Sequence, residues 1–223
     1  MRTELFSKGT GGPLILWGTD LRGEKETEEL AAKLDTMIPE QPYTLAAFAV
    51  EDWNDGFSPW KAETEGQIFG GKGSETLDLL KTEVLPYLEK NIPDVSGRYI
   101  AGYSLAGLFA LWSVYETELF SGGISCSGSL WFPGWTVYAQ NHKIPEKSRI
   151  YLSLGGKEKN SRSPVLSKIE ENTRLQLELL KGKTADVAME MNPGGHFADP
   201  VNRLAKGIAW MIGTDRAGSG FPV

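Results

Sequence analysis

The stretch Arg98-Tyr-Ile-Ala-Gly-Tyr-Ser-Leu-Ala-Gly-Leu-Phe-Ala-Leu-Trp112 decides the fold. Its first half is an apolar run of strand length and its second half is apolar at helical spacing, with Ser104 at the junction. The junction Gly102-Tyr103-Ser104-Leu105-Ala106-Gly107 is a Gly-x-Ser-x-Ala form of the nucleophile elbow, in which a strained serine sits between a strand and the helix that follows it. Strand and helix backbones nearly touch at such a turn, so the positions two before and two after the serine must be small. Gly102 and Ala106 meet that demand, and Gly107 allows close packing behind. The helix N-terminus also leaves free N–H groups and a partial positive charge where an oxyanion would form.

A serine nucleophile needs a base, and the chain has two histidines. His142 lies in the polar stretch Ala-Gln-Asn-His-Lys-Ile-Pro and reads as a solvated loop residue. His196 sits in Asn192-Pro-Gly-Gly-His-Phe-Ala-Asp199, directly after the strand-like run Ala185–Met191, where open α/β sheets place functional groups. It also follows the serine, as the chain order Ser, acid, His requires. The acid should leave the carboxyl end of a strand between them. Arg149–Leu154 is such a strand, and the turn Gly155-Gly156-Lys157-Glu158 follows it. Glu116 and Glu118 close the helix after the elbow. Glu170, Glu171 and Glu178 fall on an amphipathic helix over about Pro164–Leu180. Asp186 enters its strand at the wrong edge, Glu190 lies inside that strand, and Asp199 follows His196 by only three residues. Glu158 is therefore the expected acid, holding the imidazole tautomer.

The amino-terminal half supplies more sheet. Pro13–Trp17 is a short buried strand that empties into Gly18-Thr19-Asp20-Leu21-Arg22-Gly23, and an amide of Asp20 or Leu21 is expected to join that of Leu105 in an oxyanion hole. Glu24–Met37 is a helix-favouring segment stopped by Pro39. Tyr43–Val50 is a second apolar strand, leading into the aromatic loop Glu51–Trp60.

Taken in order, these features resemble the putative esterase family, the esterase D-like group of α/β-hydrolases, which includes siderophore, feruloyl and acetyl xylan esterases and mycolyltransferases. Asp55-Gly-Phe-Ser-Pro-Trp60 resembles its Asp-Phe-Thr-Pro segment. Phe69-Gly-Gly71 followed by the amphipathic Thr76–Leu88 resembles its Gly-Gly and Leu-Pro-Tyr-Ile helix. Ala101–Gly107 resembles its elbow, and Ser127-Gly-Ser-Leu-Trp131 its Ser-Pro-Ser-Leu-Trp segment on the strand after the elbow. The resemblance spans roughly residues 13–212 and implies an α/β-hydrolase fold: a mostly parallel sheet with helices on both faces and no large lid domain. The chain departs from the family in three places. Its first hairpin looks trimmed, Ser127-Gly128-Ser129 lacks the proline, and Glu158 stands where many relatives use Asp. The absence of a clear Arg/Lys-rich pocket weighs mildly against an anionic catechol siderophore as substrate.

Composition agrees with a single domain over residues 1–212 and a loosely held Gly-rich tail over 213–223. The 223 residues are 40% hydrophobic and carry a net charge of −6, without the basic patch that nucleic acid would require. No apolar run is long enough to span a membrane, and the amino terminus lacks a signal-peptide core, so a cytoplasmic enzyme is expected. The single cysteine, Cys126, reads as an inert core thiol. No metal-ligand spacing or dinucleotide fingerprint occurs, so neither a metal nor an organic cofactor is expected, and the oligomeric state is left open.

Of the seven tryptophans, Trp17, Trp112 and Trp210 fall on core faces, while Trp53, Trp60, Trp131 and Trp135 lie in or beside loops expected near the elbow. Trp53, Trp131 and Tyr103 are the expected substrate walls. Residues 132–147 are too few for a lid, so the site should be open and suited to a small or exposed ester. The expected chemistry is hydrolysis of a small-molecule carboxylic ester through an acyl-enzyme on Ser104, with His196 as base and Glu158 as its orienter. The alternatives are acyl transfer to another alcohol on the same acyl-enzyme, or a non-catalytic binding protein on a hydrolase scaffold.

Overall fold

The apolar runs become the strands of one sheet in the computed structural model, which describes residues 2–20 and 24–213. In chain order the elements are β1 (Arg2–Lys8), β2 (Gly12–Thr19), α1 (Glu24–Met37), β3 (Tyr43–Ala49), α2 (Trp53–Phe57), β4 (Lys61–Thr64) and β5 (Gln67–Gly70). There follow α3 (Gly73–Leu79), α4 (Leu85–Asn91), β6 (Val95–Tyr103), α5 (Leu105–Glu116), β7 (Gly122–Cys126) and α6 (Trp135–Asn141). The chain then forms β8 (Arg149–Gly155), α7 (Ile169–Leu180), β9 (Asp186–Asn192) and α8 (Pro200–Gly213). The sheet order is β1-β3-β2-β6-β7-β8-β9; only β1 runs antiparallel, while β4 and β5 form a separate hairpin. A mostly parallel sheet with helices on both faces is the expected fold class.

A parallel strand covered on both faces needs apolar side chains in both directions, so it reads as an unbroken apolar run. Residues 14–19 of β2 and all of β3 are buried. Leu14 and Leu16 point to one core, with Phe48, Leu108, Phe109 and Trp135. Ile15 and Trp17 point to the other, with Leu30 and Leu34 of α1 and Leu204, Ile208 and Met211 of α8. This two-residue alternation sends successive side chains to opposite faces. α5 follows the elbow into the first core and is buried along Leu105–Val114, which explains its uniformly apolar sequence.

Four expectations need correction. The residues before Pro13, where the first hairpin looked trimmed, do form a strand: Arg2–Lys8 pairs antiparallel with β3, from Arg2 opposite Ala49 to Lys8 opposite Tyr43. A half-exposed edge strand tolerates the polar residues that disguised it. The helix expected over Thr76–Leu88 runs further, through α3, a π-turn at Leu80–Val84 and α4. Pro86 stands in the first turn of α4 and has no N–H to donate, which suits it to follow a wider turn. The helix expected from Pro164 begins at Ile169, after a short turn over Leu166–Lys168 whose approach is held by Ser163 Oγ. Ser127–Trp131 lies just beyond β7 rather than on it.

The expected loose tail, beyond Gly213 at the end of α8, lies outside the described residues. Among the described residues no helix is long and apolar enough to cross a membrane.

Candidate active site

The elbow between β6 and α5 is built as its residue sizes require. Ser104 adopts φ 57° and ψ −122°, a left-handed conformation costly for a residue with a Cβ. A Cβ on Gly102 would stand 2.1 Å from the Ala106 carbonyl oxygen, so no larger residue fits there. The turn is pinned from the next strand, where the Ser104 amide donates to the Cys126 carbonyl at 3.0 Å and the Ser129 amide donates to the Ser104 carbonyl at 3.0 Å.

Three sequence-selected side chains meet at this turn. His196 Nε2 lies 3.1 Å from Ser104 Oγ, and its Nδ1 lies 2.9 Å from Glu158 Oε2. Glu158 follows β8 in a short helical turn, and its side chain is only 4% exposed, whereas that of His196 is 29% exposed. Asp199, the competing carboxylate near His196, does not take Nδ1. The loops that carry Glu158 and His196 are joined by backbone bonds, Gly156 N–H to Asn192 O at 2.8 Å and Lys157 N–H to Gly194 O at 2.9 Å. Burial pushes the Glu158 carboxyl up, but hydrogen bonds from His196, Ser127 Oγ and the Gly155 amide outweigh it and hold the group below the usual carboxylate range. An ionised acid is thus aligned with the imidazole, which is aligned with the hydroxyl, and proton transfer along that line is what the arrangement can do chemically.

Of the expected oxyanion donors, Leu105 opens α5, where its amide has no intrahelical acceptor. Asp20 follows the end of β2, beside the elbow, because Gly18 is in register with Gly102. Leu21 lies outside the described residues. Trp53 opens α2 beyond β3, half-buried, with its ring edge-on to Phe57. Trp131, also half-buried, is edge-on to Phe69 two residues past the amide that binds the Ser104 carbonyl. Tyr103 turns its hydroxyl inward, donating to the His196 carbonyl at 2.5 Å, and burial pushes that hydroxyl up to about 12. Its ring lies 5.5 Å from the imidazole. Trp135, grouped with the pocket loops from sequence, is instead buried on α6 with Nε1 donating to Gln176 Oε1 at 3.1 Å. The burial that raises the Cys126 thiol to about 12 suits an inert core residue. His142 caps α6 at the surface, stacked on Tyr138.

The sequence reading missed three residues here. Phe197 is 91% exposed beside the imidazole, edge-on at 5.0 Å. Ser127, at φ 45°, donates to Glu158 Oε1 at 2.7 Å. Arg203, buried on α8, reaches Glu158, Ser127, Tyr103 and the loop before His196. A readable sign of Arg203 existed: it stands among Val201, Leu204, Ala205 and Ile208, a charge on an apolar stripe. Among the described residues no group of three or more His, Cys, Asp or Glu side chains is placed to hold a metal ion.

The family profile described as Putative esterase matches residues 26–199. No curated protein matches the chain by sequence. Among solved structures, the chain is similar to an IroE-like serine hydrolase from Shewanella oneidensis, with TM-score 0.77 and 14% identity over 94% of this chain and 72% of that one. It is also similar to the siderophore hydrolase EstB from Aspergillus nidulans, with TM-score 0.72 and 16% identity over 98% and 97%. The enterochelin esterase from Shigella flexneri gives TM-score 0.71 and 20% identity, over 94% of this chain and 54% of that protein.

Proposed function

The chain belongs to the putative esterase family and is a carboxylic ester hydrolase, and from that premise we propose that it works through an acyl-enzyme on Ser104 with His196 and Glu158 completing the relay. The single observation that carries the reading is the unbroken line from Ser104 Oγ to His196 Nε2 at 3.1 Å and from Nδ1 to Glu158 Oε2 at 2.9 Å. As Ser104 Oγ attacks the ester carbonyl, its proton passes to Nε2, and the carbonyl electron pair moves onto oxygen. The oxyanion is held by the Leu105 amide and by a second amide from the loop after β2, at Asp20 or Leu21. Collapse expels the alcohol, which takes the proton from Nε2 and leaves the acyl group on Ser104. A water then repeats the sequence and restores the serine. Glu158 stays ionised throughout, keeping Nδ1 protonated and offsetting the positive imidazole.

Exposure of His196 and Phe197 beside the nucleophile favours water as the acyl acceptor over a dedicated alcohol site. Residues 127–148 contribute only the seven-residue α6, which supports an open cleft and a small or exposed ester. Half-buried Trp53 and Trp131 serve as walls, and Tyr103 can offer its ring rather than its hydroxyl. Action in the cytoplasm is part of the same proposal, tested by fractionation of the native cells.

Ser104→Ala tests the reading. The variant should keep its fold, lose turnover of aryl esters and lose labelling by a fluorophosphonate. Labelling that persists in the variant, or that maps to another serine by peptide mass, would overturn the assignment.

A further inference from the structure

We propose that Arg203 is a positioning residue for this relay: it sets the plane of the Glu158 carboxylate and clamps the loop that delivers His196. The inference rests on the acyl-enzyme reading and assigns a task to a residue that does not touch the ester.

A guanidinium that is 1% exposed costs free energy to bury unless it is paired and its N–H groups are satisfied. Arg203 is paired with Glu158 and both of its Nη groups have acceptors, which come from four separate parts of the site. Nη1 lies 3.2 Å from Glu158 Oε1, 2.9 Å from Ser127 Oγ and 3.0 Å from the Tyr103 hydroxyl. Nη2 donates to the carbonyls of Pro193 at 3.1 Å and Gly195 at 2.9 Å, the second of these being the residue before His196. Tyr103, in turn, donates to the His196 carbonyl. One planar fork therefore holds the acid through one nitrogen and the base loop through the other.

The consequence falls on the carboxylate. Oε1 is approached by three donors, Ser127 Oγ and the Gly155 amide at 2.7 Å each and Arg203 at 3.2 Å. That set fixes the carboxylate plane and leaves Oε2 for His196 Nδ1. Space is reserved for it: a Cβ on Gly155 would stand 2.8 Å from Arg203 Nη2 and 2.9 Å from Glu158 Oε1. Catalytic groups must be held to within about 0.5 Å to be productive, and the Pro193–Gly195 segment has little side chain of its own to pack. The clamp supplies that restraint.

The charge has a second effect. The titratable and charged groups around the Glu158–His196 pair are Arg203 from α8, Tyr103 from β6, Cys126 from β7 and Asp199 farther along the His196 loop. Tyr103 and Cys126 are neutral, each raised by burial to about 12. Arg203 is the cation whose side chain contacts Glu158, whereas Lys157 and Lys159, which flank Glu158 in its turn, are exposed and Lys159 pairs with Glu170. Removal of Arg203 makes the carboxylate harder to ionise, which moves the acid limb of kcat/KM to higher pH.

The test compares wild type, Arg203→Met and Arg203→Lys. Each is titrated with a fluorophosphonate to count competent sites, then assayed on a short-chain aryl ester across pH. Arg203→Met should still label at Ser104, keep KM within about threefold, and lose roughly 30- to 100-fold in kcat per titrated site, with its acid limb moved upward. Arg203→Lys returns the charge without the fork, so its acid limb should lie near that of wild type while kcat per site stays roughly five- to tenfold low. If Arg203→Met does not fold, Arg203→Lys decides alone. Fewer competent sites that each turn over as wild type, or an unmoved acid limb in Arg203→Met, would overturn the proposal. Failure of the wild type to label at Ser104 would instead sink the acyl-enzyme reading and leave Arg203 no relay to position.

Discussion

Replacing Glu158 with glutamine changes one atom's hydrogen-bonding sense in a site where both carboxylate oxygens are committed. Oε1 accepts from Ser127 Oγ, the Gly155 amide and Arg203, while Oε2 accepts from His196 Nδ1. Glutamine has one acceptor and one donor to offer these two sides. If its oxygen turns to His196, its NH₂ faces three donors and the buried guanidinium of Arg203 loses its counter-charge. If its oxygen stays with the three donors, its NH₂ faces Nδ1, and the imidazole must carry its proton on Nε2. The second arrangement keeps three bonds and is the cheaper one. It also leaves Nε2 unable to accept the Ser104 proton. A wrong imidazole tautomer of this kind costs about 10⁴ in turnover in the general Ser-His-acid template, or about 5.5 kcal/mol of barrier.

Glu158→Gln should therefore lower kcat by about 10³- to 10⁴-fold with little change in KM, since Glu158 does not face the substrate. Glu158→Asp keeps the charge on a shorter arm that cannot serve both sides, so it should fall between the two. The measurement is release of the aryl alcohol from a short-chain ester, with the folded fraction checked by circular dichroism. A folded Glu158→Gln protein within tenfold of wild-type kcat would refute the argument, because His196 would then be oriented by something other than this carboxylate.

Three further outcomes can be checked. Phe197→Ala should leave the melting temperature nearly unchanged, because the side chain is 91% exposed, while raising KM for aryl-alcohol esters roughly two- to tenfold, the range of one lost aromatic contact; equal effects on methyl esters would argue against its contact with the leaving group. Short acyl esters should be cleaved faster than long ones, because an open cleft forgoes about 0.8 kcal/mol for each methylene left in water, and a rate that climbs steadily to ten or more carbons would imply a covered tunnel instead. Because Glu158 is held below its ordinary value of 4.5 in the folded chain, its stabilisation is complete above that value and is lost as pH falls through the lower folded value; the melting temperature of wild type should therefore fall more steeply below about pH 4.5 than that of Glu158→Gln, and parallel curves would deny that Glu158 is the titrating group.

The parts of the fold legible in the sequence are those where burial acts on every residue of a run. β2, β3, the Tyr99–Gly102 part of β6 and α5 are largely apolar because both sides of each are covered, and such a run survives any uncertainty about neighbours. β1 shows the converse. As the antiparallel edge it is half-exposed, so Arg2-Thr-Glu-Leu-Phe-Ser-Lys carries no continuous apolar signal, and its partner, β3, lies more than 30 residues away. The π-turn at Leu80–Val84 was hidden for another reason. Its periodicity is that of a helix, and only the missing amide of Pro86 hints at the wider turn.

A related distinction separates the site residues that could be read from those that could not. Ser104, His196 and Glu158 each leave the carboxyl end of a recognisable strand, so topology alone brings them to one edge of the sheet. Arg203 is on a helix, where a charge ordinarily reads as solvent-facing, and its burial arises only because α8 passes beneath the ends of β6 and β7 and the loop after β9. The backbone bonds that join residue 156 to 192 and residue 157 to 194 have no side-chain signature at all. What escapes the sequence is thus the group that registers one loop against another. In this chain that registration falls to a buried cation, whose apolar neighbours on α8 are the one trace that burial leaves in the sequence.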